Sequence, residues 1–337
     1  SSRGLGDVYK RQKYKHLAWL AVGLGLCVVV LGAFVRLSDA GLGCPDWPGC
    51  YGHLTWPTQA EEIEVANQNF PERAVEVHKA WKEVVHRILA GALGLLVLGL
   101  FIWAFRQRHM MSARLPFIIG LVITFQAALG MWTVTLKLHP SIVMSHLLGG
   151  LLTLSLLVWL ACRETPQIKG YRYAGHVSTQ MVVLALLLVA LQIALGGWTS
   201  ANYAALACTG FPQCNGQWWP NMDFVQGFNL LREFGPNYEF GVKDGPARVA
   251  IQMTHRMGFV VVAAYLSWLI YRLCKNRELL PMAVVIGGLL GLQIALGIIN
   301  VTMNLPLTVA VMHNGVAALL LIALVYLLYK TRQASYN

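Results

Sequence analysis

Eight apolar runs decide what this chain can become. They begin near Leu17, Val84, Leu115, Ser141, His176, Ala247, Pro281 and Pro306. Each can cross a bilayer as a helix, which takes about 20 residues. Inside lipid, backbone polar groups must be satisfied within the chain, so runs of this length read as helices. The expected fold is an all-α polytopic membrane protein with eight transmembrane helices and both ends on one side. Composition agrees, since 12% of the 337 residues are charged against about 25% in a soluble domain.

Charge sets the orientation. Two connections are long, roughly 38–82 and 200–246, and the others are short. The side holding the termini carries 16 of the 26 Lys and Arg but 3 of the 15 Asp and Glu. Basic segments stay in the cytoplasm, so the termini are expected there and the long loops outside. The net charge of +11 is thus a topology signal, with no nucleic-acid partner implied. The start, SSRGLGDVYKRQ, has no initiator Met and is unlike the apolar chain after it. Residues 1–13 are therefore expected to be a non-native or disordered extension. The run from Leu17 to Leu37 is too long for a signal-peptide core and reads as a retained helix.

The two halves read as one unit repeated. Cys44 and Cys50 are echoed by Cys208 and Cys214, an offset of 164, and His86-Arg87 by His255-Arg256, an offset of 169. FQAALGMWTVT (125–135) is echoed by LQIALGIINVT (292–302), and the step from Gln126 to His146 recurs from Gln293 to His313. Such self-similarity marks a structural repeat. Two four-helix repeats, 14–165 and 166–337, inserted the same way imply a pseudo-two-fold axis along the membrane normal. The expectation is two pseudo-symmetric four-helix bundles side by side, with ligand sites in their cores.

Of ten histidines, His16, His53, His78, His109, His139 and His176 fall in loops or at helix ends and read as structural or solvated. His86, His146, His255 and His313 sit one to two turns inside spans and recur in the repeat. Ionisable groups inside a membrane are costly and mark function. Two histidines per bundle, on different helices, suit the axial positions of a haem iron. Zinc wants three or four protein ligands. A di-iron site wants Glu-x-x-His pairs on two helices, and Glu83-x-x-His86 is answered by Gln252-x-x-His255. Arg87 and Arg256 would pair with haem propionates or serve as interfacial anchors. Glu83 shares a helix face with His86, so it would place a carboxylate beside one haem and not the other. Arg36 is likewise unmatched, its echo being Ser200. One bundle thus reads as a holding site and the other as a reaction site on a haem-like substrate.

Cys27, Cys162 and Cys274 have no echo and read as packing residues. Close spacing within each outer loop favours local pairs, Cys44 with Cys50 and Cys208 with Cys214. These would staple the loops or act as labile redox pairs.

GAFVRLSDAGLGCPDWPGCYG (32–52), the Glu83-x-x-His86-Arg87 turn, and ALACTGFPQCNG followed by His255-Arg256 and His313 together resemble the haem A synthase family. The bacterial form with a cysteine pair in each outer half is the nearest likeness, over about residues 15 to 330. The resemblance implies an oxidoreductase of the bacterial inner membrane that oxidises a ring methyl of haem O, in successive steps, to the formyl of haem A. Its product serves terminal oxidase assembly, and its expected partners are the haem O-producing enzyme and an electron acceptor outside the chain. It also implies haem b held by His255 and His313 with Arg256 near, and haem O iron held by His86 and His146 with Arg87 and Arg36 near. Glu83 is implied as the essential acid, with Cys44 and Cys50 as a functional pair. The long 200–246 loop is expected to cap the second site. The alternative is a di-haem membrane cytochrome that carries electrons or oxidises quinol, which leaves the Glu83/Gln252 difference without a purpose. A thiol oxidase would not need four membrane histidines, and nothing suggests a transporter's discontinuous helices.

Overall fold

The computed structural model describes residues 2–165, 177–231 and 233–334. The expected Lys169, Arg172 and His176 of the connection between the halves lie outside the described residues. Among the described residues, eight helices are long and apolar enough to span a membrane. They are α1 (Ser2–Leu37), α3 (Val77–Arg106), α4 (Arg114–Thr135), α5 (Pro140–Glu164), α6 (Thr179–Ala201), α8 (Gly245–Cys274), α9 (Leu280–Thr302) and α10 (Leu307–Ala334). Two short helices, α2 (Ala60–Asn69) and α7 (Phe224–Gly227), sit in the long loops. Among the described residues there is no β-strand beyond two isolated bridges, at Cys50–His53 and Cys214–Gln217.

Two helix limits differ from the sequence reading. α1 runs back to Ser2, well before the apolar run that begins near Leu17. α3 starts at Val77, leaving 38–76 as the first outer connection. Its first turns are amphipathic, and Ala80 and Val84 bury against Cys44, Cys50 and Tyr51, which holds them helical outside the apolar run.

The helices close into two rings. α1 packs on α3, α3 on α4, α4 on α5 and α5 back on α1. The second ring repeats this with α6, α8, α9 and α10. Contacts between the rings come from α1, α5, α6 and α10. There, a Cβ on Gly197 would lie 2.8 Å from Leu147 and one on Gly315 3.4 Å from Val30. Small residues let membrane helices approach where no hydrophobic drive separates helix from lipid. Local signals set the helix ends. Asp244 accepts from the Ala247 amide at 3.0 Å as an N-cap, and Pro140 opens α5, where its missing N–H costs nothing. α4 leaves through left-handed Lys137 and Leu138, and α9 through left-handed Asn304 and Leu305.

The second outer loop does not stay on its own half. Its first part does: Trp198 Nε1 donates to Gly227 O at 2.9 Å, and Lys243 Nζ to Gln226 O at 2.5 Å. Residues 230–231 and 233–240 run against the α4–α5 turn. Ser141 Oγ donates to Leu230 O at 2.9 Å, and the Tyr238 amide to Lys137 O at 3.0 Å. Tyr238 buries among Leu42, Val134 and Leu138, while His139 stacks on Phe234 with ring centroids 4.7 Å apart. Arg73 clamps Glu239 through two bonds of 3.0 and 3.1 Å. The loop expected to cap the second site therefore divides: its first part stays on the second half, and residues 233–240 strap the first.

Candidate functional site

The first bundle encloses a cavity of about 970 Å³ with mostly apolar walls. Glu83, His86, Arg87, His146 and Arg36 all border it. α3 supplies the first three because residues 83, 86 and 87 fall on one helical face. α5 brings His146 and the end of α1 brings Arg36.

Glu83 faces inward, 5% exposed. Its Oε2 accepts from the Cys44 amide at 3.0 Å and its Oε1 from Arg87 Nη2 at 2.5 Å. The disulfide loop can lie this close because Gly43 has no side chain: a Cβ there would sit 2.8 Å from the Lys79 carbonyl carbon. Arg87 also donates to the carbonyls of Asp46 at 3.0 Å, Pro48 at 3.3 Å and Gly49. Its guanidinium thus ties the loop to the carboxylate. Cys44 and Cys50 are joined as a disulfide, and Asp46 closes the next turn by accepting from the amides of Tyr51 and Gly52. Burial pushes the Tyr51 phenol up to about 12, and its hydroxyl donates to Ala74 O at 3.1 Å.

The second bundle places the corresponding groups alike, with one change. Cys208 and Cys214 are joined, and Arg256 donates to Cys208 O at 3.0 Å and Gln213 O at 3.1 Å. Gln252 stands where Glu83 does. It is 4% exposed and its Oε1 has no partner, so no carboxylate bridges loop and arginine here. Arg36 joins the halves by donating to Ser200 O at 2.6 Å and packing 4.1 Å from the Tyr203 ring centre. Its Nε is buried without a partner.

Each of the four histidines is seated on a glycine of a neighbouring helix. A Cβ would fall 2.9 Å from His86 Cε1 at Gly32, 3.4 Å from His146 at Gly130, 3.1 Å from His255 at Gly196 and 3.2 Å from His313 at Gly297. The rings of His86, His146 and His313 face the backbone of Val28, Gln126 and Gln293, one turn before the seating glycines. Gln192 Nε2 lies 3.0 Å from His255 Nδ1 and donates to His255 O at 2.9 Å. Gln293 Nε2 lies 3.2 Å from His313 Nε2, and Gln126 donates to His146 O at 2.8 Å. Sequence reasoning misses Gln192, although LQIALG occurs at both 191–196 and 292–297. In the first bundle, two buried imidazoles framed by glycines border a cavity large and apolar enough for a flat metal-bearing ring such as haem.

The family model for cytochrome oxidase assembly protein, COX15-CtaA, matches residues 15–325. The chain belongs to this family. Its curated relatives carry the name Heme A synthase. The Shewanella oneidensis relative is 47% identical over 317 residues, 93% of this chain and 96% of the relative. Those of Rhizorhabdus wittichii and Shouchella clausii are 29% and 27% identical, covering 91% and 90% of this chain and 90% and 91% of themselves. The match spans both bundles, including both histidine pairs and both cysteine loops.

Proposed function

We propose that this chain is a haem A synthase of the bacterial cytoplasmic membrane, with haem O as substrate in the first bundle. The observation that carries the assignment of sites is the buried carboxylate of Glu83, on the wall of the first cavity and replaced by Gln252 in the second bundle. Converting the methyl to a formyl group takes up one water and releases four protons and four electrons, the electrons passing to an acceptor outside the chain. His86 and His146 would hold the substrate iron and fix the ring. Glu83 Oε1, oriented by Arg87 and the Cys44 amide, would accept protons leaving the reacting methyl carbon. Arg36, with an unpaired buried Nε, is the better partner for a substrate propionate, because Arg87 is committed to Glu83 and three loop carbonyls.

His255 and His313 would hold haem b, with Arg256 fixing the loop above it. When bound there, haem b supplies a one-electron relay. The charge distribution supports cytoplasmic termini and disulfide loops on the outer side. The enzyme making haem O and the terminal oxidase under assembly are the expected neighbours in the pathway.

Haem extraction from the purified protein tests the reading. Haem b together with substoichiometric haem O or haem A is expected. Two equivalents of haem b per chain, with neither of the others, would make the protein a di-haem cytochrome instead.

A further inference from the structure

The cavity of the first bundle is open on the lipid side. Gly91, Leu95 and Leu98 of α3 and Phe117, Leu121 and Thr124 of α4 all line it, and all six are exposed. Leu95 is 71% exposed and Leu121 56%. On each helix they follow three- and four-residue steps, which put them in one stripe. Residues that border an internal cavity and the outside together mark an opening, here a slot between α3 and α4.

Missing side chains make the slot. A Cβ at Gly91 or Gly120 would meet nothing within 4 Å, and one at Gly94 would meet only Ile123 at 3.6 Å. The cytoplasmic end is closed by Phe101 against Phe117, ring centroids 5.6 Å apart. From residue 86 to residue 101 the slot runs about 22 Å at 1.5 Å per residue. Its one polar side chain among those six, Thr124, already donates to Gly120 O at 3.0 Å. The occupant is therefore long, narrow and apolar. In the second half, the positions of Gly91 and Gly94 are Val260 and Ala263, at the His86-to-His255 offset.

We propose that the slot between α3 and α4 binds the isoprenoid side chain of the substrate and makes the first bundle selective for prenylated haem. The inference rests on the assignment of that bundle to haem O. Haem O differs from protohaem by its hydroxyethylfarnesyl chain, and the slot leads from the histidine level into the bilayer on the substrate side. The second bundle, assigned a haem without such a chain, carries larger side chains at two of the glycine positions. Since lipid is as apolar as the chain, selectivity comes from packing inside the slot and from a lateral entry that a lipid-soluble substrate can use.

The test is a spectral titration of the full-length protein, second-bundle haem in place, with haem O and with protohaem. Wild type should prefer haem O by about tenfold. Gly91→Leu and Thr124→Leu, which fill the slot, should lose that preference while binding protohaem as before, and Val260→Leu should change neither. The second-bundle haem spectrum reports folding; if Gly91→Leu loses it, the exposed Thr124→Leu decides. Equal binding of the two haems by wild type, or an unchanged preference in a folded slot-filled variant, overturns the inference and leaves a groove for lipid acyl chains. His86→Ala keeps the two assignments apart. If it binds haem O as wild type does, the substrate site itself is misplaced, whatever the slot variants do.

Discussion

At the scale of single residues, the histidine seats decide what each bundle can hold. Three seating glycines, Gly130, Gly196 and Gly297, are preceded four residues earlier by Gln126, Gln192 and Gln293, and Gly32 is preceded by Val28. One helical turn separates the two positions, so each Gln side chain meets the helix its glycine faces. His86 alone of the four has an aliphatic residue there. Gly196→Ala would drive a methyl into the His255 ring, and overpacking of this kind costs about 1–3 kcal/mol. The expected outcome is a protein with a shifted or weakened second-bundle haem spectrum and an unchanged first site, read by absorption and electron paramagnetic resonance. Arg87→Ala would be a poor probe of chemistry. Removing one partner of a buried pair costs about 3–5 kcal/mol, and the loop carbonyls lose their donor as well. The four histidines and Glu83 were legible in the sequence because ionisable residues stand out against apolar runs and a repeat. Gln192 was not, because an amide within LQIALG looks like its neighbours until a partner is seen. The commitment of Arg87 was equally hidden, since its contacts are backbone carbonyls.

At the scale of elements, the strap at 233–240 is what the sequence could not assign. A long polar loop carries no local signal for which neighbour it will cross, and its anchors, Tyr238 on Lys137 and Glu239 on Arg73, are long-range pairings. Hydrogen bonds from Arg73 hold the Glu239 carboxyl below its ordinary range. A carboxyl depressed in the folded state contributes stability above its unfolded value, about 4.3, and loses it as pH falls through the folded one. Amide protection factors over residues 233–241, corrected for the intrinsic pH dependence of exchange, should therefore hold from neutral to mildly acidic pH and fall at lower pH. Glu239→Gln should exchange faster at neutral pH and lose that pH dependence. Unchanged protection in Glu239→Gln would show that the aromatic contacts of His139, Phe234 and Tyr238 hold the strap alone. The eight spans and their order were legible because membrane helices are written in long apolar runs, whereas the outward extension of α3 depends on packing against the disulfide loop.

At the scale of the whole molecule, two bundles of like construction are differentiated by a few side chains. The first has Glu83, a slot of glycines and an arginine reaching across to Ser200; the second has Gln252, Val260 and Gln192 against His255. Under the proposed function, these differences would separate a site that reacts and exchanges its ligand from one that keeps it. If the bundles divide the labour as proposed, they are separable by mutation. His255→Ala and His313→Ala should each remove the haem b signal while leaving haem O titration at the first site, and retention of a normal haem b spectrum in both would move the cofactor elsewhere.

The most direct test of the central assignment is Glu83→Gln, which gives the first bundle the second bundle's residue with little change of volume. The measurement is the haem content of the purified variant from cells that supply haem O. Haem b at the wild-type level, haem O retained and haem A absent is the expected result. Haem A accumulating as in wild type would contradict the role given to Glu83.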